Sequence, residues 1–258
     1  MKAVSVKLSK DLEQCCIHVF SDWHIGDRSC KITEIQQLIT EVANNPEAYC
    51  ILNGDLMNNA TKTSVSDSYA EVIPPMEQLN ELCRLLTPIK DKILLITIGN
   101  HEARTYRSDG IDLMRLLARQ LGLEDRYCRE GGVLFLRIGK GAEGHAGVQY
   151  SYTFYVTHGS GGGRKEGAKA IRLADMSSIV DVDIYIHSHT HLPFIMKQAF
   201  YRLSLQNSTV AKAEKLFVNS SAKLEYGGYG QTYEFKPSST ASPVIFLNGR
   251  KKEFTARL

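Results

Sequence analysis

The chain has 258 residues, 43 % of them hydrophobic, and a formal net charge of +3. That is enough apolar material for one large buried core, and so small a charge surplus neither requires nor excludes a polyanionic partner. The six cysteines, Cys15, Cys16, Cys30, Cys50, Cys83 and Cys128, contain no C-x-x-C pair, so reduced thiols are expected rather than a disulfide framework.

In chain order, Met1 to Gln14 lacks the apolar stretch of a secretory signal. No run approaches the roughly 20 apolar residues of a membrane helix, and a soluble cytoplasmic protein is the expectation. Cys15 to Phe20 reads as a short strand ending in Ser21-Asp22. Ile35, Leu38, Ile39 and Val42 give Thr33 to Asn44 a helical period, stopped near Pro46. Tyr49 to Leu52 is a second strand, ending in Asn53-Gly54-Asp55. Met76 to Leu86 is helical and is stopped by Pro88. Ile93 to Ile98 reads as a buried strand running into Gly99-Asn100-His101-Glu102, and Ile111 to Leu121 as a further amphipathic helix. The order βαβαβα predicts a parallel sheet covered by helices.

The second half reads as β-rich. Val133 to Ile138 and Val148 to Val156 are strands flanking a glycine-rich turn around residues 139 to 147. Lys169 to Ser178 is a helix, and Ile184 to Ile186 a strand before His187-Ser188-His189-Thr190-His191. Phe194 to Phe200, Leu216 to Asn219 and Val244 to Leu247 are further strands. The interleaved Gly and Tyr of Tyr226 to Phe235 suggest a surface hairpin rather than a stacking platform. No linker and no internal repeat divides the chain, so a single domain over residues 1–258 is expected.

Short polar clusters follow these strands. They supply two carboxylates (Asp22, Asp55), one amide (Asn100) and four imidazoles (His24, His158, His189, His191). A catalytic divalent ion takes about three protein ligands and keeps a position open for water. Seven ligands suit two ions about 3.5–4 Å apart, a clamp for in-line displacement at phosphorus. Mixed imidazole, carboxylate and amide donors fit Mn²⁺, Fe²⁺, Zn²⁺, Co²⁺ or Ni²⁺ better than Ca²⁺ or Mg²⁺. Side-chain alternation in an extended segment predicts that Asp22 and His24 reach one site. His189 and His191 either do the same or serve different ions.

Other residues have blander readings. His18, inside a strand, is structural. His145 is solvated in the glycine-rich turn, and His187 is either packed or supports the ligands from behind. Gly159-Ser160-Gly161-Gly162-Gly163-Arg164-Lys165 lacks the Gly-Lys-Ser/Thr ending of a P-loop and reads as flexible backbone after His158.

The pattern Asp22-x-His24, Gly54-Asp55, Gly99-Asn100-His101-Glu102, His158 and His189-x-His191 resembles the calcineurin-like metallophosphoesterase superfamily, nearest to its small stand-alone bacterial or phage-type members. The resemblance spans residues 22 to 191. It implies a four-layer αββα sandwich of two mixed β-sheets flanked by helices. It also implies one metal on Asp22, His24, Asp55 and His191. A second would sit on Asp55, Asn100, His158 and His189, with Asp55 bridging. His101 would contact the phosphate and protonate the leaving oxygen, and Glu102 or Asp27 would support the ligands. Ser188 stands where the superfamily usually has glycine, a tolerable change unless the backbone needs positive φ. Leu56-Met57-Asn58-Asn59 follows Asp55, without the arginine of the protein phosphatases.

The implied activity is a phosphoesterase with two divalent ions, manganese first among them. It would act on phosphodiesters rather than phosphoproteins, by in-line attack of a metal-bridging hydroxide. A DNA or RNA nuclease of the same superfamily is the alternative, with Arg104, Arg107, Arg164 and Lys165 following the phosphate backbone. A catalytically silent scaffold, like the retromer subunit that resembles this superfamily, is the alternative from another class.

Overall fold

A computed structural model describes residues 1–258 apart from 63, 65–68, 70, 141–147, 162, 164 and 233. His145 and Arg164 lie outside the described residues. The strands are β1 (Lys2–Lys7), β2 (Gln14–Phe20), β3 (Ala48–Asn53), β4 (Ile93–Thr97), β5 (Gly132–Ile138), β6 (Tyr150–Val156), β7 (Ile184–His187), β8 (Phe194–Ser204), β9 (Thr209–Asn219), β10 (Val244–Asn248) and β11 (Phe254–Arg257). The helices are α1 (Ile32–Asn44), α2 (Pro75–Leu86), α3 (Glu102–Asp109), α4 (Leu113–Leu121), α5 (Glu166–Asp175) and α6 (Gly228–Thr232).

Two mixed sheets result, with orders β1-β5-β6-β7-β9-β8 and β11-β10-β2-β3-β4. In the second sheet β2, β3 and β4 run parallel and β10 and β11 close the edge antiparallel. The alternation of β2 shows how the layers arise. Cys15, Ile17 and Val19 point between the sheets, onto Leu134, Tyr152, Phe154 and Ile184 of the other sheet. Cys16 and Phe20 point outward, onto Ile35 and Ile39 of α1 and Leu82 of α2. On the far face, Tyr185 and Phe217 stack with ring centroids 4.7 Å apart and pack against Leu173 of α5. The layers are thus α/β/β/α, the sandwich expected above.

Several boundaries differ from expectation for local reasons. The Asp112 side chain accepts from Arg115 N–H at 3.0 Å, so α4 starts at Leu113 and not at Ile111. The hairpin of β8 and β9 is far longer than the apolar run suggests, pairing from Phe194↔Asn219 to Ser204↔Thr209. Its outer half is exposed and carries no burial pattern to read. β1, α3 and β11 escaped sequence reading. The segment Tyr226 to Phe235 is not a hairpin; its described residues include the single turn α6. His18 is buried on β2, as expected of a structural residue.

One buried side chain ties the two sheets at their carboxyl ends. Asn53, the last residue of β3, donates from Nδ2 to Thr157 O at 2.9 Å and to Ser188 Oγ at 2.6 Å. These partners follow β6 and β7, in the opposite sheet. Its Oδ1 accepts from Thr97 Oγ1 at 2.8 Å. Replacing Asn53 by leucine keeps the volume and strands these partners without a hydrogen bond. Buried unsatisfied groups cost about 1–3 kcal/mol each, so Asn53→Leu is expected to lose about 3 kcal/mol in urea unfolding. A loss below about 1 kcal/mol would show that the tie contributes little.

Candidate metal centre

The ligand-type residues all lie just beyond the carboxyl ends of β2, β3, β4, β6 and β7, where sites form in such sheets. They fall into clusters whose ligand atoms lie within 4.8 Å of one another. One is Asp22, His24 and His191; a second is Asp55, His158 and His189; a third, His24, Asp55 and His101, joins them. Asp55 therefore sits between the two outer groups, and His189 and His191 divide between them. Asp22 and Asp55 are 0 % and 1 % exposed, whereas 36 % of the His191 side chain is exposed. The centre opens to solvent on the histidine side.

Extended alternation is not what brings Asp22 and His24 together. Both stand in left-handed backbone, at φ 53° and 49°, as do Asp55 at 51°, His189 at 64° and His191 at 56°. Such a conformation is unusual for a residue with a Cβ. Asp22 and His24 thus reach the site from a tight loop, while Trp23 between them packs against Phe20 in the apolar core. Ser188 is not among the positive-φ residues, so no glycine is required there. Glycine is required at Gly54, at φ 76°, where a Cβ would meet the Gly99 nitrogen at 2.3 Å. Gly54 and Gly99 let the loops after β3 and β4 touch.

Hydrogen bonds fix each carboxylate through one oxygen or one edge. Asp22 Oδ2 accepts from Ser21 Oγ at 2.6 Å, from Ser220 Oγ at 3.2 Å and from His189 N–H at 3.3 Å. Asp55 Oδ1 accepts from His101 N–H at 2.8 Å. The other edges face imidazoles: Asp22 Oδ1 lies 3.2 Å from His191 Nε2, and Asp55 Oδ2 lies 3.2 Å from His158 Nε2. Yet Asp22 Oδ1, His158 Nε2 and Asn100 Oδ1 are buried without a hydrogen bond of acceptable geometry. His24 Nε2 and His191 Nε2 face each other at 3.3 Å. Buried acceptors with no donor, as at Asp22 Oδ1 and Asn100 Oδ1, are rare unless a ligand takes them. This donor set, convergent and unsatisfied, fits divalent cations.

The charges respond to this crowding. Burial alone would raise both aspartates, but the facing imidazoles hold their carboxyls well below the usual range. Burial opposes a charged His158, and the Asp55 carboxylate overcomes it, pushing His158 up to about 10. Burial pulls His189 down to about 4 and lowers His24 well below its ordinary value.

His101 lies beside the centre. Its Nδ1 is 2.7 Å from Asn58 O, which fixes Nδ1–H as the donor, and its Nε2 accepts from Arg104 Nη2 at 3.1 Å. The carboxylate facing its ring is Asp55, at 3.9 Å. Burial lowers its pKa, with Asp55 opposing. Arg104 is thus at the site. Arg107 is exposed on α3, and Lys165 is exposed at the start of α5. Asp27 Oδ1 accepts from Ser29 N–H at 2.7 Å in a local turn, and its backbone N–H donates to His24 O at 2.9 Å.

Glu102 supports the ligands through backbone. It is fully buried; Oε2 accepts from Asp55 N–H and Gly99 N–H, and Oε1 from Met57 N–H, each at 3.0 Å. One side chain thereby clamps the loops after β3 and β4. Burial and the nearby Asp55 push its carboxyl up to about 7. His187 supports from behind: Nδ1 is 2.9 Å from Asn219 Oδ1, and Asn219 Nδ2 donates to Thr190 Oγ1 at 2.8 Å. Sequence reading missed Asn53, Lys169, Asn219 and Ser220. Lys169 Nζ donates to Thr190 O at 2.7 Å, between the two histidines. Asn219-Ser220, a polar pair closing the apolar run Leu216 to Val218, was the one available signal.

The sequence model of the calcineurin-like phosphoesterase family matches residues 17–193. No curated protein matches the chain. Among solved structures, a predicted phosphoesterase from Streptococcus pneumoniae TIGR4 is 14 % identical, covering 95 % of this chain and 98 % of that one at TM-score 0.37. A metallophosphoesterase from Sphaerobacter thermophilus is 13 % identical, with coverages of 90 % and 83 % and TM-score 0.41. Vps29 of Entamoeba histolytica, complexed with Zn²⁺, is 12 % identical, with coverages of 94 % and 97 % and TM-score 0.35.

Glu102→Gln leaves one acceptor oxygen for three backbone donors and turns an amide N–H toward at least one of them. Groups that orient ligands typically carry 10–100-fold in metal affinity. Calorimetric titration with Mn²⁺ is expected to show a loss of about that size in the folded variant. Unchanged affinity would mean the clamp does not position the ligands.

Proposed function

The chain belongs to the calcineurin-like phosphoesterase family, and from that premise we propose that it is a dinuclear-metal phosphoesterase acting on phosphodiesters. The observation that carries this reading is the sharing of Asp55 between two of the clusters, beside the buried Asp22 Oδ1, Asn100 Oδ1 and His158 Nε2, which have no hydrogen bond. Asp22, His24, Asp55 and His191 would hold one ion. Asp55, Asn100, His158 and His189 would hold the other. Manganese is the ion we assign first, on the mixed nitrogen and oxygen donors. When bound, such ions supply Lewis acidity toward phosphoryl oxygen and lower the pKa of water to about 7.

The protein's own residues do the rest. Asp55 and Asp22 offset the dications, leaving positive potential on the open, histidine side, where an anionic ester would enter. Arg104 donates at present to His101 Nε2 and to Asn58 O, the latter at 3.1 Å. A phosphoryl oxygen is a stronger acceptor than either, being charged. Drawing Arg104 onto the substrate would free the His101 Nε2 lone pair to take up a proton from solvent and pass it to the leaving oxygen. The Asn58 carbonyl keeps the ring oriented throughout. A monoester or phosphoprotein substrate calls for a further phosphoryl grip, and Leu56-Met57-Asn58-Asn59 provides no arginine after Asp55. Among the described residues no helix is long and apolar enough to cross a membrane. The convergent ligand set favours an enzyme over a silent scaffold.

Bis-p-nitrophenyl phosphate tests the reading. Mn²⁺-loaded protein is expected to hydrolyse it, and EDTA to abolish turnover. Inactivity across Mn²⁺, Ni²⁺, Co²⁺ and Zn²⁺ would overturn it.

His101→Asn separates the acid from a structural part. The variant is expected to keep its metal content by elemental analysis. Turnover of diesters with alkoxide-like leaving groups should fall by about 10²–10⁴, and that of p-nitrophenyl esters by much less. Equal losses on both ester types, accompanied by metal loss, would sink the acid role.

A further inference from the structure

α3 starts at His101 and Glu102, at the centre, and runs away from it for eight residues, about 12 Å. Its far end opens into a groove of about 620 Å³ between α3, α4 and the start of β1. Lys2, Arg115, Arg119 and Arg129 line that groove, together with Tyr106. The Arg129 guanidinium carbon lies over the Tyr106 ring, 3.4 Å from its centroid, and the tyrosine is 36 % exposed.

The charge along this route is unbalanced. Lys2, Arg104, Arg107, Arg115, Arg119 and Arg129 are its cations; Asp109, Asp112 and Glu124 are its carboxylates beyond the centre, Asp112 half-buried, and Glu102 is fully buried at the start of α3. Six cations thus stand against three carboxylates outside the centre, in a chain whose formal surplus is +3. The acids are already engaged. Tyr127 OH donates to both Asp112 oxygens, at 2.9 and 2.8 Å. Glu124 pairs with Arg115 at 2.7 Å and Arg119 at 3.4 Å. Such solvent-exposed pairs are weak, about 0–1 kcal/mol, and give way to a phosphate.

We propose that the route from the centre along α3 into this groove binds a single-stranded polynucleotide, with phosphates on the arginines and a base against the Tyr106–Arg129 stack. Cations spaced along a groove match a repeating backbone charge, and an aromatic–guanidinium face matches a base without selecting its identity. A small phosphodiester would need only the centre. The inference rests on the phosphodiester reading of the centre and supplies its substrate class.

Fluorescence anisotropy with fluorescein-labelled dT20 and rU20, in EDTA, reads this independently of turnover. Micromolar binding of either strand at 50 mM NaCl is expected, and comparison of the two identifies DNA or RNA. R107A/R119A/R129A is expected to weaken binding about tenfold or more. It should also flatten the log–log salt slope by about 2, at roughly 0.7 per lost contact. Tyr106→Leu should weaken binding about fivefold or more with the slope unchanged. K10A/K90A/K251A removes as much charge elsewhere and should bind as wild type. Near-UV circular dichroism confirms that each variant is folded. The inference is overturned if neither strand binds, if the arginine variant binds as wild type, or if the lysine variant loses as much. It is also overturned if poly-glutamate displaces dT20 as well as unlabelled dT20 does, since the groove would then suit an acidic protein. A protein that hydrolyses bis-p-nitrophenyl phosphate but binds no strand refutes this inference alone. One that binds strands without hydrolysing the diester refutes only the reading of the centre.

Discussion

Two carboxylates with almost no exposure, Asp22 and Asp55, face imidazoles in the interior between the strand ends. Removing an ionised carboxylate from water costs several kcal/mol even after relaxation. The surrounding structure is largely a response to that cost. Hydroxyls of Ser21 and Ser220 and the backbone N–H groups of His189 and His101 take one oxygen of each carboxylate. Those donors come from loops of both sheets. The sheets must therefore end at the same level, and the Asn53 tie holds them there. Apolar packing between the sheets sets their spacing, and the polar tie sets their register at one end.

How much of this could be read from the chain depended on whether function lay in a residue or in its surroundings. Asp22, His24, Asp55, His158, His189 and His191 were legible because carboxylates and imidazoles directly after apolar runs have few structural uses. The structure brings them together, although their roles as ligands remain part of the proposal. Asp22 and His24 group as side-chain alternation predicts, but from left-handed backbone rather than a strand. Alternation assumes a strand, and the strand had already ended at Phe20. Glu102 was visible as a motif residue, but its three backbone partners were not, since N–H groups leave no trace in the choice of neighbouring side chains. Ser220, Asn219 and Lys169 were invisible for a simpler reason. Only the sheet order β7-β9 and the placement of α5 carry them to the histidine loop.

The fold shows the same division. Strands with one or two buried faces announced themselves through apolar runs, as in β4, buried throughout. β1 was short, half polar and easily taken for an unstructured start. α3 carries little apolar material because its buried contribution is a glutamate, so no periodicity marked it. The long arm of β8 and β9 pairs with itself in solvent, where hydrogen bonding rather than burial sustains the ladder.

The left-handed backbone at Asp22, His24, Asp55, His189 and His191 bears on the history of such a chain. Each costs on the order of 1 kcal/mol, and together they approach the lower end of a domain's net stability. Glycine at any of the five would relieve that cost, and at Asp22 and Asp55 it would also remove the hydrogen bonds their carboxylates accept. Under selection for folding alone, sequence drift would therefore erase these positions first, before the apolar core had changed. Their side chains are kept against the preference of the backbone that carries them. Among descendants of such a chain, glycine at these positions would be the earliest mark of a lineage released from its chemistry.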